Sequence, residues 1–308
     1  MTGAAGFIGS NLSENLIDSG NHVIGVDCFT DYYPKEQKLA NLKNLLSHGS
    51  FTFLEEDIVS LNLDKLLEGI DYVFHEAAQP GVRSSWGSSF EVYTRNNISA
   101  TQRLLEASRK VKLKKFVYAS SSSVYGDCPL PMREDRLTRP VSPYGVSKLA
   151  AEHLCYLYWK NYAIPTVSLR YFTVFGPRQR PDMAFNRFIR AILKGDEITV
   201  FGNGSQTRDF TYVSDIVQAN VLAMKPGVEG EVFNIGGGSR ISLKKAIRIM
   251  EETLDKKANL RFVEKQQGDV VDTLADVSKA NEVLKYAAAV GVEEGIRKEC
   301  EWLVDSMK

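Results

Sequence analysis

The chain predicts a doubly wound α/β fold: a parallel sheet covered by helices on both faces, followed by a smaller C-terminal α/β lobe. Three observations carry this. Strand-like and helix-like stretches alternate through the first half. A glycine loop, Gly3-Ala-Ala-Gly6-Phe-Ile-Gly9, leads straight into an amphipathic helix. After Arg170 the texture breaks into shorter elements and loops. Regular alternation argues for parallel strands joined by right-handed crossovers.

The first helix begins at Ser10, with Leu12 and Leu16 spaced for one buried face and Gly20 as a C-cap. A strand over residues 23–26 follows and ends in Asp27. Glycines let backbone N–H groups approach a pyrophosphate at a helix N-terminus, so Gly3, Gly6, Phe7, Ile8 and Gly9 are candidate cofactor contacts. An acid about twenty residues further on suits a free adenosine 2′-hydroxyl and repels a 2′-phosphate. Asp27 therefore favours NAD over NADP. Only Met1 and Thr2 precede the loop, where a complete strand belongs; the expectation is a chain that has lost a few N-terminal residues.

Further strands are expected over residues 51–54, 72–77, 115–119 and 165–170, with helices around 61–67, 90–110 and 144–162. Ligands of such sheets sit beyond the carboxyl ends of the strands. Asp57, the run Ala77, Ala78, Gln79, and the serines from Ser120 to Ser123 all fall there, with Ile58 beside them. Beyond Arg170, strands are expected near 199–201, 208–213, 231–235 and 260–263, and helices near 215–224 and 243–254. The predicted division is a dinucleotide-binding domain over 1–170 with 209–237, and a substrate lobe over 171–208 and 238–308.

Lys plus Arg and Asp plus Glu both number 38, so the formal charge is zero and no global field favours nucleic acid or an acidic membrane. No apolar run approaches the length of a membrane span, and no charged-then-apolar leader is present. Cys28, Cys128, Cys155 and Cys300 are scattered, and the four histidines show no ligand spacing. The expectations are reduced cytoplasmic thiols and no metal.

The chemistry is suggested by Ser120-Ser-Ser-Ser-Val-Tyr-Gly126 at a strand end and by Tyr144-Gly-Val-Ser-Lys148 at a helix start. Four residues is about one turn, so Tyr144 and Lys148 share a face. A neighbouring ammonium is expected to lower the tyrosine pKa toward the range of a general base. A second Tyr-x-x-x-Lys, at Tyr156 and Lys160, lies twelve residues along the same helix. That turns it by about 120°. Tyr144, which follows Ser142 and Pro143 at the helix start, is assigned the chemistry, and Tyr156 packing or surface.

Together these residues resemble the extended short-chain dehydrogenase/reductases, with their Rossmann-type sheet, and within them the nucleotide-sugar epimerases and dehydratases. The resemblance extends over the whole chain. It includes His75-Glu-Ala-Ala-Gln-Pro-Gly81, Asn96-Asn97, Arg170-Tyr-Phe-Thr-Val-Phe-Gly-Pro177 and Arg208-Asp-Phe-Thr-Tyr-Val-Ser-Asp215. Relatives that eliminate water or lose carbon dioxide usually carry an acid just before the Val-Tyr-Gly, where this chain has Ser123. Thr173 stands where simple UDP-galactose 4-epimerases carry Asn. The run Gly176-Pro-Arg-Gln-Arg-Pro-Asp-Met-Ala184, with Pro80-Gly-Val-Arg-Ser-Ser-Trp86, looks most like the UDP-glucuronate 4-epimerases. Gln267 and the alanines from Ala287 to Ala289 depart from positions where relatives often carry proline.

The resemblance implies that Tyr144 removes the proton from the sugar 4-hydroxyl while hydride passes to NAD and later returns to the opposite face of a 4-keto sugar. It further implies that Ser121 hydrogen-bonds O4, that Lys148 holds the nicotinamide ribose, and that Ser120, Asn97 and Tyr171 lie near the cofactor. Ser122, Ser123 and Thr173 become candidates to grip the substrate carboxylate, with Arg180 as its cation. Pro80, Gly81, Val82 and Arg83 are carried over as substrate contacts. Arg208, Gln206 and Asp269 fall to the diphosphate and ribose, Val200 and Phe201 to uracil, and Phe185 and Arg187 to a loop closing over the nucleotide. A homodimer is implied through the helices around 90–110 and 144–162. Open alternatives are a neutral UDP-hexose or N-acetylhexosamine 4-epimerase, a UDP-glucuronate decarboxylase and a non-catalytic NAD-binding sensor.

Overall fold

A computed structural model describes residues 1–264 and 272–307. The strands are β1 (Val23–Asp27), β2 (Phe51–Glu55), β3 (Tyr72–His75), β4 (Lys115–Ser121), β5 (Thr166–Tyr171), β6 (Thr173–Phe175), β7 (Glu197–Phe201), β8 (Thr207–Tyr212), β9 (Val232–Ile235), β10 (Arg240–Ser242) and β11 (Asn259–Val263). The helices are α1 (Phe7–Asp18), α2 (Lys35–Leu46), α3 (Leu63–Leu66), α4 (Phe90–Tyr93), α5 (Ala100–Ser108), α6 (Pro143–Tyr162), α7 (Ala184–Lys194), α8 (Val213–Leu222), α9 (Leu243–Leu254) and α10 (Val292–Ser306).

The main sheet is parallel. β1 pairs with β2, and β3, β4, β5 and β9 pair in that order. The slot between β1 and β3, where the sequence lacks a full strand, is held by the first residues. Thr2 bridges both Val26 and His75. Its N–H donates to the Phe74 carbonyl at 3.0 Å, and Gly3 N–H donates to Val26 at 2.8 Å. One bridging residue thus joins the two halves of the sheet and delivers the glycine loop to its carboxyl edge.

β4 and β5 are buried along their whole lengths, as central parallel strands must be when helices cover both faces. Apolar side chains on the two faces form separate clusters. One centres on α1, α8 and the C-terminal helices, and the other on α3, α5 and α6. α6 starts sharply: the Ser142 hydroxyl accepts from Gly145 N–H at 3.1 Å, and Pro143 occupies the first turn. α4 runs into α5 through a wide π-type turn over Thr94–Ser99, so the single helix expected near 90–110 is present with a bulge at its centre.

The second lobe holds two small sheets, β10-β8-β6 and β11-β7. β9 joins the main sheet beside β5, whereas β8, at the start of the segment expected to return to the first domain, pairs with β6 and β10. Two helices, α7 and α10, were not anticipated. α7 occupies the segment read as a nucleotide-covering loop; Phe185, Phe188, Ile189 and Ile192 recur at helical spacing on its buried face.

A buried ion pair locks the sheet to α6. Arg170 and Glu152, at 5% and 4% exposure, meet through two hydrogen bonds of 3.0 and 2.6 Å. Ser120 Oγ donates to the same carboxylate at 2.6 Å, and Arg170 Nη1 donates to the Tyr125 hydroxyl at 2.8 Å. Breaking such a pair leaves an uncompensated buried charge and costs ~3–5 kcal/mol. We expect Arg170→Met to lower the urea unfolding midpoint accordingly, and the double variant Arg170→Met with Glu152→Leu to recover most of that loss.

Candidate active site

One elongated cleft crosses the carboxyl ends of the main strands. At one end its walls are Gly3, Gly6, Phe7, Ile8, Gly9, Asp27, Asp57 and Ile58. At the other they are Ala77, Ala78, Pro80, Ser120, Tyr144, Lys148, Tyr171 and Arg180. The sequence missed Cys28, Thr30, Tyr32, Tyr33, Lys38 and Glu76, which also line it. Nothing in their spacing marks them; they arrive with the loop after β1, the first turn of α2 and the turn after β3.

The glycine end fits a dinucleotide. A Cβ on Gly9 would stand 2.1 Å from the Gly3 carbonyl, so only glycine lets the loop fold this closely over the start of α1. Asp27 is held by two backbone donors, Phe29 N–H at 2.9 Å and Ala5 N–H at 3.2 Å. Burial raises its carboxyl above the ordinary value, against the pull of these donors and of the Lys38 ammonium. Asp57 instead lies below its usual value: the Val59 N–H and Arg95, at 2.9 and 2.5 Å, outweigh its modest burial.

Gln79 and Asn97 serve differently from the cleft contacts expected of them. The Asn97 amide, buried in the π-type turn, accepts from Gln79 N–H at 2.7 Å and donates to the Gln79 carbonyl at 3.1 Å and to Ser147 Oγ at 2.9 Å. It fixes the strand-end turn from behind. The wide turn rotates this side chain inward, which a uniform helix does not foretell.

At the far end Tyr144 hydrogen-bonds Ser121, and the Tyr93 ring lies edge-on to it with centroids 6.2 Å apart. Gly145 permits this approach, since a Cβ there would lie 2.5 Å from the Ser123 carbonyl. Ser121 Oγ also accepts from Ser123 N–H at 3.1 Å, so the serine run folds into a tight turn, with Ser122 and Ser123 half-buried beside it.

The electrostatics correct one expectation. Burial raises the Tyr144 phenol above its ordinary value; the Ser121 hydrogen bond and then the Arg180 guanidinium oppose it. The opposing cation is Arg180, not Lys148. The Lys148 ammonium lies over the Tyr118 ring, 4.6 Å from its centroid, and burial lowers it to about 8 while Glu76 acts in the other direction. Helical spacing set the shared face, but the neighbours each side chain meets there decided the charges. Tyr156, by contrast, is about half exposed on the outer side of α6.

Arg180 reaches the cleft from the loop after Gly176 and pairs with Asp182 through two 3.0 Å contacts. Tyr32 OH donates to the same carboxylate at 3.3 Å. Thr173 begins β6, half-buried. The backbone carbonyls of Pro80 and Gly81 accept from Tyr93 OH at 2.7 and 2.9 Å, which fixes the turn leading to Val82. The Arg83 guanidinium lies 4.4 Å from the Phe201 ring centroid and so bridges the two lobes.

The residues carried over as nucleotide contacts are divided between core and surface. Phe185 is 1% exposed and stacks on Phe210 with centroids 4.5 Å apart, while Arg187 points outward from α7. Val200 is 1% exposed because alternate residues of β7, Ile198 and Val200, face the core. Phe201 stands on the other face. The Gln206 amide donates to the Phe201 carbonyl at 2.9 Å, and Arg208 donates to the Thr207 carbonyl at 3.0 Å. Asp269, like Gln267, lies outside the described residues.

Comparison with known proteins agrees with this geometry. A protein of Bacillus subtilis described as an uncharacterized UDP-glucose epimerase, YtcB, is 48% identical over 305 residues, covering 98% of this chain and 96% of its own. The UDP-glucuronate 4-epimerase of Thermodesulfobacterium geofontis is 38% identical over 313 residues, covering 100% and 96%. The crystal structure of a UDP-glucuronic acid 4-epimerase from Bacillus cereus, with UDP-glucuronic acid and NAD, superposes with a TM-score of 0.96. It shares 46% identity and covers 99% of this chain and 98% of that one. The profile of the NAD dependent epimerase/dehydratase family matches residues 1–236, and with a glycine loop, an acid after β1 and a serine–tyrosine–lysine end in one cleft, the chain belongs to that family.

Proposed function

We infer that this protein is an NAD-dependent isomerase that inverts C4 of UDP-glucuronate to give UDP-galacturonate through a transient 4-keto sugar. The observation that carries the reading is the cleft in which Tyr144, hydrogen-bonded to Ser121, and Lys148 share walls with the dinucleotide loop and with Arg180. When bound, NAD supplies the hydride acceptor and donor. The chain's own residues do the rest. Tyr144, hydrogen-bonded to Ser121, takes the proton of the 4-hydroxyl and gives it back. Ser121 holds O4. Lys148 positions the nicotinamide ribose, to whose hydroxyls its buried ammonium offers three N–H donors.

Glucuronate sets a particular demand. Its 4-keto form is a β-keto acid, which loses carbon dioxide when the C5–C6 bond aligns with the carbonyl π system. Ser122, Ser123 and Thr173 offer neutral hydroxyls for the carboxylate, and no acid occupies the place just before Val124-Tyr-Gly. Arg180 brings the cation. Its pairing with Asp182 and its position in the cleft wall favour a fixed guanidinium over a mobile surface charge.

The partner is a second copy of the chain. Val92 on α4 and Val146, Leu157 and Tyr156 on α6 are 44 to 50% exposed, an apolar supply on the two helices that would pair across a two-fold axis. No described helix is long and apolar enough to cross a membrane, and free thiols at Cys28, Cys128, Cys155 and Cys300 suit a reducing, cytoplasmic setting.

Proton NMR of UDP-glucuronate with the protein and no added NAD tests the reaction. The expected product is UDP-galacturonate; UDP-xylose or a 4-keto pentose would replace this reading with decarboxylation. Tyr144→Phe should slow turnover by about 10²–10⁴ while leaving the fold intact, the usual worth of a positioned acid–base group. Arg180→Ala should impair UDP-glucuronate at least ten times more than UDP-glucose, on the order of one lost charge-assisted contact; equal losses would remove the carboxylate role. Light scattering at micromolar concentration should give the mass of a dimer, and a monomer mass would reject that assembly.

A further inference from the structure

One ionisable group in the cleft has no part in the chemistry above. Glu76 directly follows β3, and its side chain lines the end that holds Tyr144, Lys148, Ala119 and Ser120. Its Oε1 accepts from the Tyr171 hydroxyl at 2.8 Å, across β4. Tyr171 in turn accepts from Asn220 Nδ2, on α8, at 2.7 Å. The carboxylate is therefore not a free rotor at a pocket mouth. A strand end, a neighbouring strand and a helix hold it in one orientation.

Its electrostatic surroundings are sparse. Lys148 faces it from α6, and Tyr171 from β5. Tyr118, on β4, feels its charge too. The adjacent His75 ring spends its nitrogens on Thr2 and Thr101, at 2.8 and 2.9 Å, and burial with the nearby Lys148 ammonium drives it down to about 3, so it is neutral. Burial pushes the Glu76 carboxyl up to about 7, and the Tyr171 hydrogen bond and Lys148 hold it against a further rise. Reciprocally, Glu76 is the foremost charge opposing the loss of the Lys148 proton. Lys148 and Glu76 are thus each other's main counter-charges at a partly desolvated wall, where a unit charge acts more strongly than in bulk solvent.

We propose that Glu76 is the counter-anion of the nicotinamide end of this cleft: it keeps Lys148 charged and biases a bound nicotinamide toward its oxidised, cationic form. The oxidised ring carries a positive charge and the reduced ring none, so above about pH 7, where the Glu76 carboxyl is ionised, an anion held in the same wall favours the former. In a reaction that borrows a hydride and returns it, this bias draws the hydride back to the sugar and shortens the life of the keto sugar. The inference rests on the NAD reading of the cleft.

The test equilibrates the full-length protein against defined NAD⁺/NADH mixtures and reads the bound ratio from the fluorescence of reduced nicotinamide. Wild type should prefer NAD⁺, and Glu76→Gln, which can still accept from Tyr171, should lose about tenfold or more of that preference, the scale of one unit charge in a protein wall. Glu76→Asp keeps the anion and should keep the preference within about threefold. An unchanged ratio in Glu76→Gln overturns the proposal. Equal loss in both variants also overturns it, because shape rather than charge would then be responsible. A wild type that takes up neither nucleotide would instead sink the NAD reading, and this inference with it.

Discussion

The Glu152–Arg170 pair is the constraint on which the rest of the site depends. It joins the middle of α6 to the carboxyl end of β5, and through Ser120 it reaches the end of β4. These are the elements that carry Lys148, Tyr171 and the serine turn. In a low-dielectric interior such a pair stabilises little by itself, because desolvation offsets most of the attraction. Its value here is geometric. A fork of two hydrogen bonds fixes both the depth and the rotation of α6 against the sheet. Arg170 extends the lock through Tyr125 to Asn234 on β9, which returns from beyond the second lobe. The pair thus ties α6 through β5 and Tyr125 to β9.

Around this frame the site divides by solvation. The dinucleotide end is built largely from backbone: close-folded glycines and amide donors that fix the Asp27 carboxylate. The reacting end is built from side chains, and desolvation is the first influence on Tyr144, Lys148 and Glu76 alike. Burial works against charge on each, so what remains charged does so through named partners. Arg180 and Ser121 act on Tyr144, and Glu76 acts on Lys148. The tyrosine–lysine motif is therefore better understood as two separately solvated groups on one helical face than as a self-sufficient pair.

Arg180, the cation in the cleft wall, comes from beyond β6. The loop that carries Arg180 leaves Gly176, whose N–H donates to the buried Glu299 carboxylate of α10 at 2.8 Å. Arg178 in the same loop pairs with Glu14 on α1 at 2.7 Å. The loop that carries Arg180 is in this way anchored on both α10 and α1. A change in sugar preference would involve the packing of this loop as well as the residues that touch the sugar.

The strands of the first domain and all its helices but α2, the glycine loop, Asp27 and the order of the chemistry-bearing segments were legible in the sequence, because periodicity and turn residues act over a few positions. Asp57, Ser120 and Tyr144 could be placed at strand and helix ends for the same reason. Three things were decided only when the chain closed on itself. Met1, Thr2 and Gly3 could occupy the slot between β1 and β3 because those strands supplied their partners. Phe185 and Val200 turned into the core because α7 and β7 each present one face to it, and neither element's facing is encoded in an isolated residue. The charge balance at Tyr144, Lys148 and Glu76 was set first by burial and then by neighbours that include distant ones, Ser121 and Tyr171 among them, brought together at one sheet edge. Local sequence sets which groups are available. Burial and long-range neighbours set their charge, since both are properties of the folded surface rather than of the chain.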